Sequence, residues 1–246
     1  MKYLKVRSQC RCASLNIQLL SQQIPGFLMQ IDIHSNSIIK QFLFALTHLG
    51  CKNTLRYLVR NIFVIDHYYI LYLNLSSLKM PTRNRFNYSL NAADESDFKF
   101  LIDKLPHLAL HARKEIVARL FFRQTGFKHC YFAKTPNGQP AYMQWLIYPD
   151  ENEIIAKHFQ YRFYPLKANQ VMLENAFTFP RFRGLGLLPC VSAELLTIAK
   201  NQGYKNAILY IQKNQIASIN EFLNLNFKIR KIVREYKLFG ITKRML

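Results

Sequence analysis

Apolar residues recur at helical spacing through residues 38–49 and 55–64, with basic residues between them, which predicts two short amphipathic helices. From His67 the pattern turns extended. Tyr68-Tyr69-Ile70-Leu71-Tyr72-Leu73-Asn74-Leu75 is aromatic and branched, as strands prefer. After a polar loop over 81–88, Asp94-Glu95-Ser96-Asp97 precedes Phe98, Phe100, Leu101 and Leu105, placing acids in a first turn where the helix dipole favours them. Residues 112–124 predict a second helix, stopped by Gly126. Apolar runs at 130–133 and 141–148 flank an Asn137-Gly138 turn signal, the sequence form of a β-hairpin. A further strand is expected over 154–164.

The chemically informative stretch begins at Val171. A strand runs through Glu174-Asn175-Ala176-Phe177-Thr178 into Pro180-Arg181-Phe182-Arg183-Gly184-Leu185-Gly186-Leu187-Leu188, and residues 189–200 then read as a helix. Such a junction gathers unpaired N–H groups and the positive end of a helix dipole at one place, a good seat for a pyrophosphate. Gly184 and Gly186 let the backbone turn tightly and approach phosphates without a Cβ in the way, and Arg181 and Arg183 add positive charge. Past Gly203 a strand over 206–211 leads to Asn214, and Ala217-Ser218-Ile219 opens another helix that ends at Phe227.

Composition adds a folded, strongly basic chain. Half of the 246 residues are apolar, ample for a core, and the formal charge is +20 with a pI near 9.9. Such a surface attracts nucleic acid, anionic lipid or a phosphate-bearing cofactor, although an AT-rich coding sequence enriches Lys, Asn, Ile and Phe with no functional cause. Residues 1–65 form a separate zone, with Lys2, Lys5, Arg7, Arg11, Lys40, Lys52, Arg56 and Arg60 against one acid, Asp32. This zone reads as a basic, mainly helical extension that packs on the main domain or touches an anionic membrane or a partner. Cys10, Cys12, Cys51, Cys130 and Cys190 show no repeated metal-ligand spacing, so no metal is expected and a reducing compartment is the simpler inference. No run approaches the roughly 20 apolar residues of a spanning helix, and the expectation is a cytoplasmic protein, at most peripheral to a membrane. No RNP-type or zinc-finger motif marks a nucleic-acid binder.

The run from Pro180 to Leu187 resembles the cofactor signature of the Gcn5-related N-acetyltransferase (GNAT) family, P-x-[YF]-R-G-x-G-[IL]. Asn214, Ala217-Ser218-Ile219 and Asn226-Phe227 resemble that family's later N-x-x-[AS]-I…G-F element. The resemblance covers about 68 to the C-terminus and is strongest from Val171. The chain is also similar to GNAT proteins found among surface-polysaccharide genes, where R-G-x-G-L precedes a bulky residue and proline and the tail ends near L-F-G, as at Leu238-Phe239-Gly240. The resemblance implies an α/β (α+β) GNAT fold over 66–246: a mixed, mostly antiparallel sheet of about six to seven strands flanked by helices. It also implies acyl transfer from acetyl-CoA, or another acyl-CoA, to an amine or, less readily, a hydroxyl. Ala176, Phe177 and Thr178 would hold the pantetheine arm and thioester. Arg183 and the amides of Gly184, Leu185, Gly186, Leu187 and Leu188 would cradle the pyrophosphate. Asn214 and Ser218 would hold the pantetheine end, or Ser218 would cap its helix.

This sequence departs from the pattern at four points. Leu188 and Pro189 replace small residues, with Pro189 offering no N–H; Phe222 stands where many members carry a thiolate-protonating tyrosine; Asn226 replaces glycine; and one extra residue separates Asn214 from Ser218. Glu174, an acid in an apolar strand, is the first choice of general base or else an outward, ion-paired carboxylate, and Tyr210 is a substitute acid. His129, Tyr131 and His158 are expected near the acceptor or within the core, and Cys190 is read as a buried small residue. The alternative function is a catalytically degenerate GNAT-fold binding module whose basic surface docks on nucleic acid or membrane.

Overall fold

The computed structural model describes residues 46, 47, 50, 63–81, 86–160, 162–238 and 241–245, with only the backbone at 63, 64, 237, 238, 241 and 242. The expected basic zone and its two helices therefore lie outside the described residues, apart from Leu46, Thr47 and Gly50 and the strand that begins at Phe63. The Leu238-Phe239-Gly240 tail is likewise outside them beyond Leu238.

Eight strands are described: β1 (Phe63–Asn74), β2 (Ser89–Ala92), β3 (Cys130–Lys134), β4 (Pro140–Ile147), β5 (Gln170–Thr178), β6 (Asn206–Gln212), β7 (Lys228–Leu238) and β8 (Ile241–Met245). The helices are α1 (Glu95–Lys104), α2 (Leu110–Gln124), α3 (Asn152–Phe159), α4 (Leu187–Asn201) and α5 (Ile216–Asn224). The sheet runs β2-β3-β4-β5-β6-β1-β7-β8, exceeding the expected strand number through the β7–β8 hairpin. Every described pairing is antiparallel except β5 with β6.

Local sequence explains the elements. Asp94 caps α1 by accepting from the Asp97 amide at 3.0 Å while Asp97 returns the bond to the Asp94 amide at 3.1 Å, a reciprocal capping box. The β3–β4 hairpin closes through Gly138, whose φ of 75° suits glycine. All eight residues of β4 are buried because helices cover both of its faces. Trp145 meets Phe122 of α2 edge to face on one side, while Gln144 accepts from Ser192 of α4 at 3.0 Å on the other.

One expected element is corrected. The strand foreseen over 154–164 is instead α3 and a following turn, because Ile155 and Phe159 stand four apart on one buried helical face. His158 is thus on a helix.

Candidate active site

The parallel β5–β6 pairing lasts only from Gln170↔Asn206 to Met172↔Ile208. Beyond Met172, β5 stays paired with β4 through Thr178, and no further β6 pairing is made. The side of β5 that leaves β6 therefore borders a cleft. The cleft encloses about 1130 Å³ and is lined by both strands, the glycine turn and the first turns of α4 and α5, room for more than a drug-sized ligand.

A bulge shapes this strand. Between Met143↔Phe177 and Trp145↔Glu174, Asn175 and Ala176 together oppose Gln144, and Asn175 takes a φ of 53° that asparagine tolerates better than most side chains. Arg119 of α2, which also lines the cleft, fixes the bulge. Its Nε donates to the Asn175 carbonyl at 3.2 Å and its Nη2 to the Ala176 carbonyl at 2.7 Å, while Nη1 donates to the Glu115 carbonyl at 2.7 Å and to Glu115 Oε2 at 2.9 Å. The guanidinium also lies 4.8 Å from the Phe177 ring centre. Burial lowers its pKa, with Glu115 opposing. Sequence reading had not singled out Arg119.

Arg183, Gly184, Leu185, Gly186, Leu187 and Leu188 form one cleft wall. Gly186 is the N-cap of α4 at φ 80°, a backbone state that strains any L side chain. The first intrahelical bond runs from the Cys190 amide to the Gly186 carbonyl at 3.2 Å, so the amides of Leu187 and Leu188 precede the ladder, and Pro189 occupies the next position, where its missing N–H breaks no helix bond. The turn keeps an anion-seeking N-terminus despite that proline. Arg183 is exposed and donates from Nε to the Thr178 carbonyl at 3.2 Å.

Glu174 projects into the same cleft, partly open to it. Burial pushes its carboxyl up to about 7 against the pull of the Arg244, Arg162 and Arg119 guanidiniums. Its Oε2 is buried with no hydrogen-bond partner among the described residues. Tyr210 lines the cleft from β6, its hydroxyl oxygen accepting from the Tyr164 amide at 3.0 Å; burial holds the phenol protonated, pushed up to about 12. Ala176, Phe177, Thr178 and Ser218 line the cleft as well, with Ser218 inside the first turn of α5, whose N-cap is Gln215.

Other expected positions lie elsewhere. Asn214 is exposed in the β6–α5 turn and does not line the cleft, whereas Gln212 and Gln215 beside it do. His129, Tyr131 and His158 also lie off the cleft wall. Burial pushes the Cys190 thiol up, away from nucleophile chemistry. Phe222 lines the cleft with no hydroxyl and packs on Phe227, and Asn226 adopts the left-handed φ of 78° that glycine would otherwise supply. No group of three or more His, Cys, Asp or Glu suited to a metal is present among the described residues, and no described helix is long and apolar enough to cross a membrane.

No protein-family model matches the chain, and no curated protein matches it. Among solved structures it is similar to the GCN5-related glucosamine N-acetyltransferase region of a fungal multi-domain GH3 β-N-acetylglucosaminidase, with TM-score 0.51 and 11% identity over 79% of this chain and 23% of that one. A Drosophila protein matches with TM-score 0.48 and 12% identity over 78% of this chain and 58% of its own. A phosphinothricin acetyltransferase of the GNAT superfamily from Sinorhizobium meliloti, solved with AcCoA, matches with TM-score 0.43 and 13% identity over 62% and 90%. The chain thus spans less than two thirds of the first two of these structures.

Proposed function

We propose, from the premise that this chain has the GNAT fold, that it transfers an acyl group, in the first instance acetyl from acetyl-CoA, to an amine by direct attack. The observation that carries this reading is Glu174: a carboxyl raised to about 7 with an unpartnered buried oxygen, standing where β5 opens. A group titrating there accepts a proton near neutral pH without losing much driving force.

The residues fit the parts of the donor. The glycine turn and α4 would receive the pyrophosphate, with Arg183 adding charge. The open side of β5, held by Arg119, would hydrogen-bond the pantetheine arm and polarise the thioester carbonyl. In the reaction the amine nitrogen forms the new C–N bond, its proton passes to Glu174, and the C–S bond breaks with its electron pair on sulfur. Tyr210 is the cleft hydroxyl we assign to protonate that thiolate, among others on the wall that include Tyr68 and Ser218.

A second reading, a GNAT-fold module that binds without turnover, is favoured by Phe222 and Pro189, which remove a hydroxyl and an N–H donor. The basic composition of residues 1–65 supports a separate docking role on an anionic surface, which removal of residues 1–62 would separate from cofactor binding.

Calorimetry with acetyl-CoA on the wild type and Gly186→Trp tests the proposal. Micromolar binding, about −8 kcal/mol, that the variant abolishes supports the cofactor site, and thiol release with an amine panel then separates enzyme from module. Absence of binding at millimolar acetyl-CoA overturns the transferase reading and leaves the degenerate module with its basic docking surface.

A further inference from the structure

The cavity that Glu174 lines also touches a charged cluster drawn from three separate parts of the chain. Arg162 comes from the turn after α3, Glu235 from β7 and Arg244 from β8, and both arginines line the cavity. The turn is fastened: the Arg162 amide donates to the Phe159 carbonyl at 2.7 Å, and Asn152 bonds Leu166 through both its amide atoms at 2.8 Å. Glu235 is fully buried and takes Arg244 Nε at 2.7 Å, with Arg162 Nε at 3.5 Å. Arg244 Nη1 donates to the Arg162 carbonyl at 2.8 Å. The Arg244 guanidinium is packed among aromatic rings, 4.0 Å from the Tyr68 centre, 5.0 Å from Tyr210 and 5.4 Å from Phe163.

The two guanidiniums are not equally well met. Both touch Glu235, which faces Asp66 across the β1–β7 pairing, and Glu174 lines the same cavity. Removing a guanidinium from water is costly unless an anion or good acceptors meet it. Arg244 is held by Glu235, a carbonyl and three rings, and its side chain is 7% exposed. Arg162 has the looser contact with Glu235, its Nε has no hydrogen-bond partner, and its side chain is 21% exposed. Arg244 is thus the anchored base of the cluster, and Arg162 is the guanidinium left to meet a ligand from the cavity. A planar guanidinium suits carboxylate and phosphate oxygens in particular.

Resting on the acyl-transfer reading, we propose that the acceptor is an amine that also carries an anionic group, carboxylate or phosphate, which Arg162 binds while the amine meets Glu174. Both ends of such a molecule are charged oppositely to the side chain each would meet. An amine of equal size without the anionic group leaves the Arg162 guanidinium with only its 3.5 Å contact to Glu235.

Three matched probes test this on the full chain saturated with coenzyme A: ethanolamine, β-alanine and O-phosphoethanolamine, by calorimetry and, with acetyl-CoA, by thiol release. One anionic probe should bind at least about tenfold more tightly than ethanolamine, or about 1.4 kcal/mol. β-Alanine ahead identifies a carboxylate, and O-phosphoethanolamine ahead identifies a phosphate. In Arg162→Gln the preference should shrink to less than about twofold, and Arg162→Lys should recover part of it; the urea midpoint of each variant verifies folding, and should the glutamine variant not fold, the lysine variant must lower the preference. Equal or better binding of ethanolamine, no binding of any probe at about 10 mM, or a preference that survives loss of the Arg162 guanidinium overturns the proposal. Failure of the unliganded wild type to bind acetyl-CoA is a different outcome and sinks the acyl-transfer reading beneath it.

Discussion

Replacing Glu174 by glutamine should make the protein more stable and less active, and the stability gain should depend on pH in a defined direction. The carboxyl stands near 4.5 in an unfolded chain and about 7 in the folded one, so between those values the native state binds more protons than the unfolded state, and wild-type stability from this group falls as pH rises. At about 1.36 kcal/mol per pH unit the full effect is about 3 kcal/mol, trimmed to roughly 2 by solvent reaching the partly open carboxyl. Glutamine does not titrate. The difference between variant and wild type should therefore be near zero at pH 4 and grow to about 2 kcal/mol in favour of the variant by pH 8. Urea unfolding read by fluorescence is suited to this, because the one tryptophan, Trp145, is fully buried and pairs directly with Glu174 across β4 and β5. In the acyl-transfer assay the wild-type kcat should rise through about pH 7 to a plateau, and the variant should lose about a hundredfold or more. A stability difference that is flat with pH, or a variant less stable at pH 8, refutes the assignment of a desolvated, proton-accepting carboxyl.

Two further outcomes follow from the cleft. Arg119→Met leaves the Asn175 and Ala176 carbonyls without their donor, at about 1–3 kcal/mol each, so chemical denaturation should show a loss of several kcal/mol and calorimetry a weaker acetyl-CoA affinity; an unchanged unfolding midpoint contradicts the clamp. Phe222→Tyr places a hydroxyl on the cleft wall and should raise kcat several-fold with little change in acetyl-CoA KM, whereas equal or lower turnover means that thiolate protonation is already met elsewhere.

The order strand, glycine turn, helix, strand, helix was legible from residue 171 onward, because apolar periodicity and Gly184 and Gly186 each act over a few residues. The same reasoning placed Glu174 and Tyr210, which do line the cleft. It misread 154–164, where Ile154, Ile155 and Phe159 alone do not separate strand from helix, although the four-residue spacing of Ile155 and Phe159 was the available hint. It gave no account of β7, whose charges interrupt any simple alternation across Lys228-Ile229-Arg230-Lys231-Ile232. Arg119 left no sequence signal because its acceptors are main-chain carbonyls 56 and 57 residues away, and the pairing of Arg162 and Arg244 with Glu235 exists only once three distant segments meet. Asn226, a departure on paper, costs little in the fold because its backbone reaches the left-handed state and its side chain donates to the Ser77 carbonyl at 2.9 Å.

The parting of β5 from β6 gives this sheet a rim in its middle as well as at its ends. An outer rim is open to any passing strand and invites one chain to join another. The inner one lies between β5 and β6 with α4 and α5 along the cleft, so a chain that pairs there has to thread into the molecule instead of joining it at an outer edge.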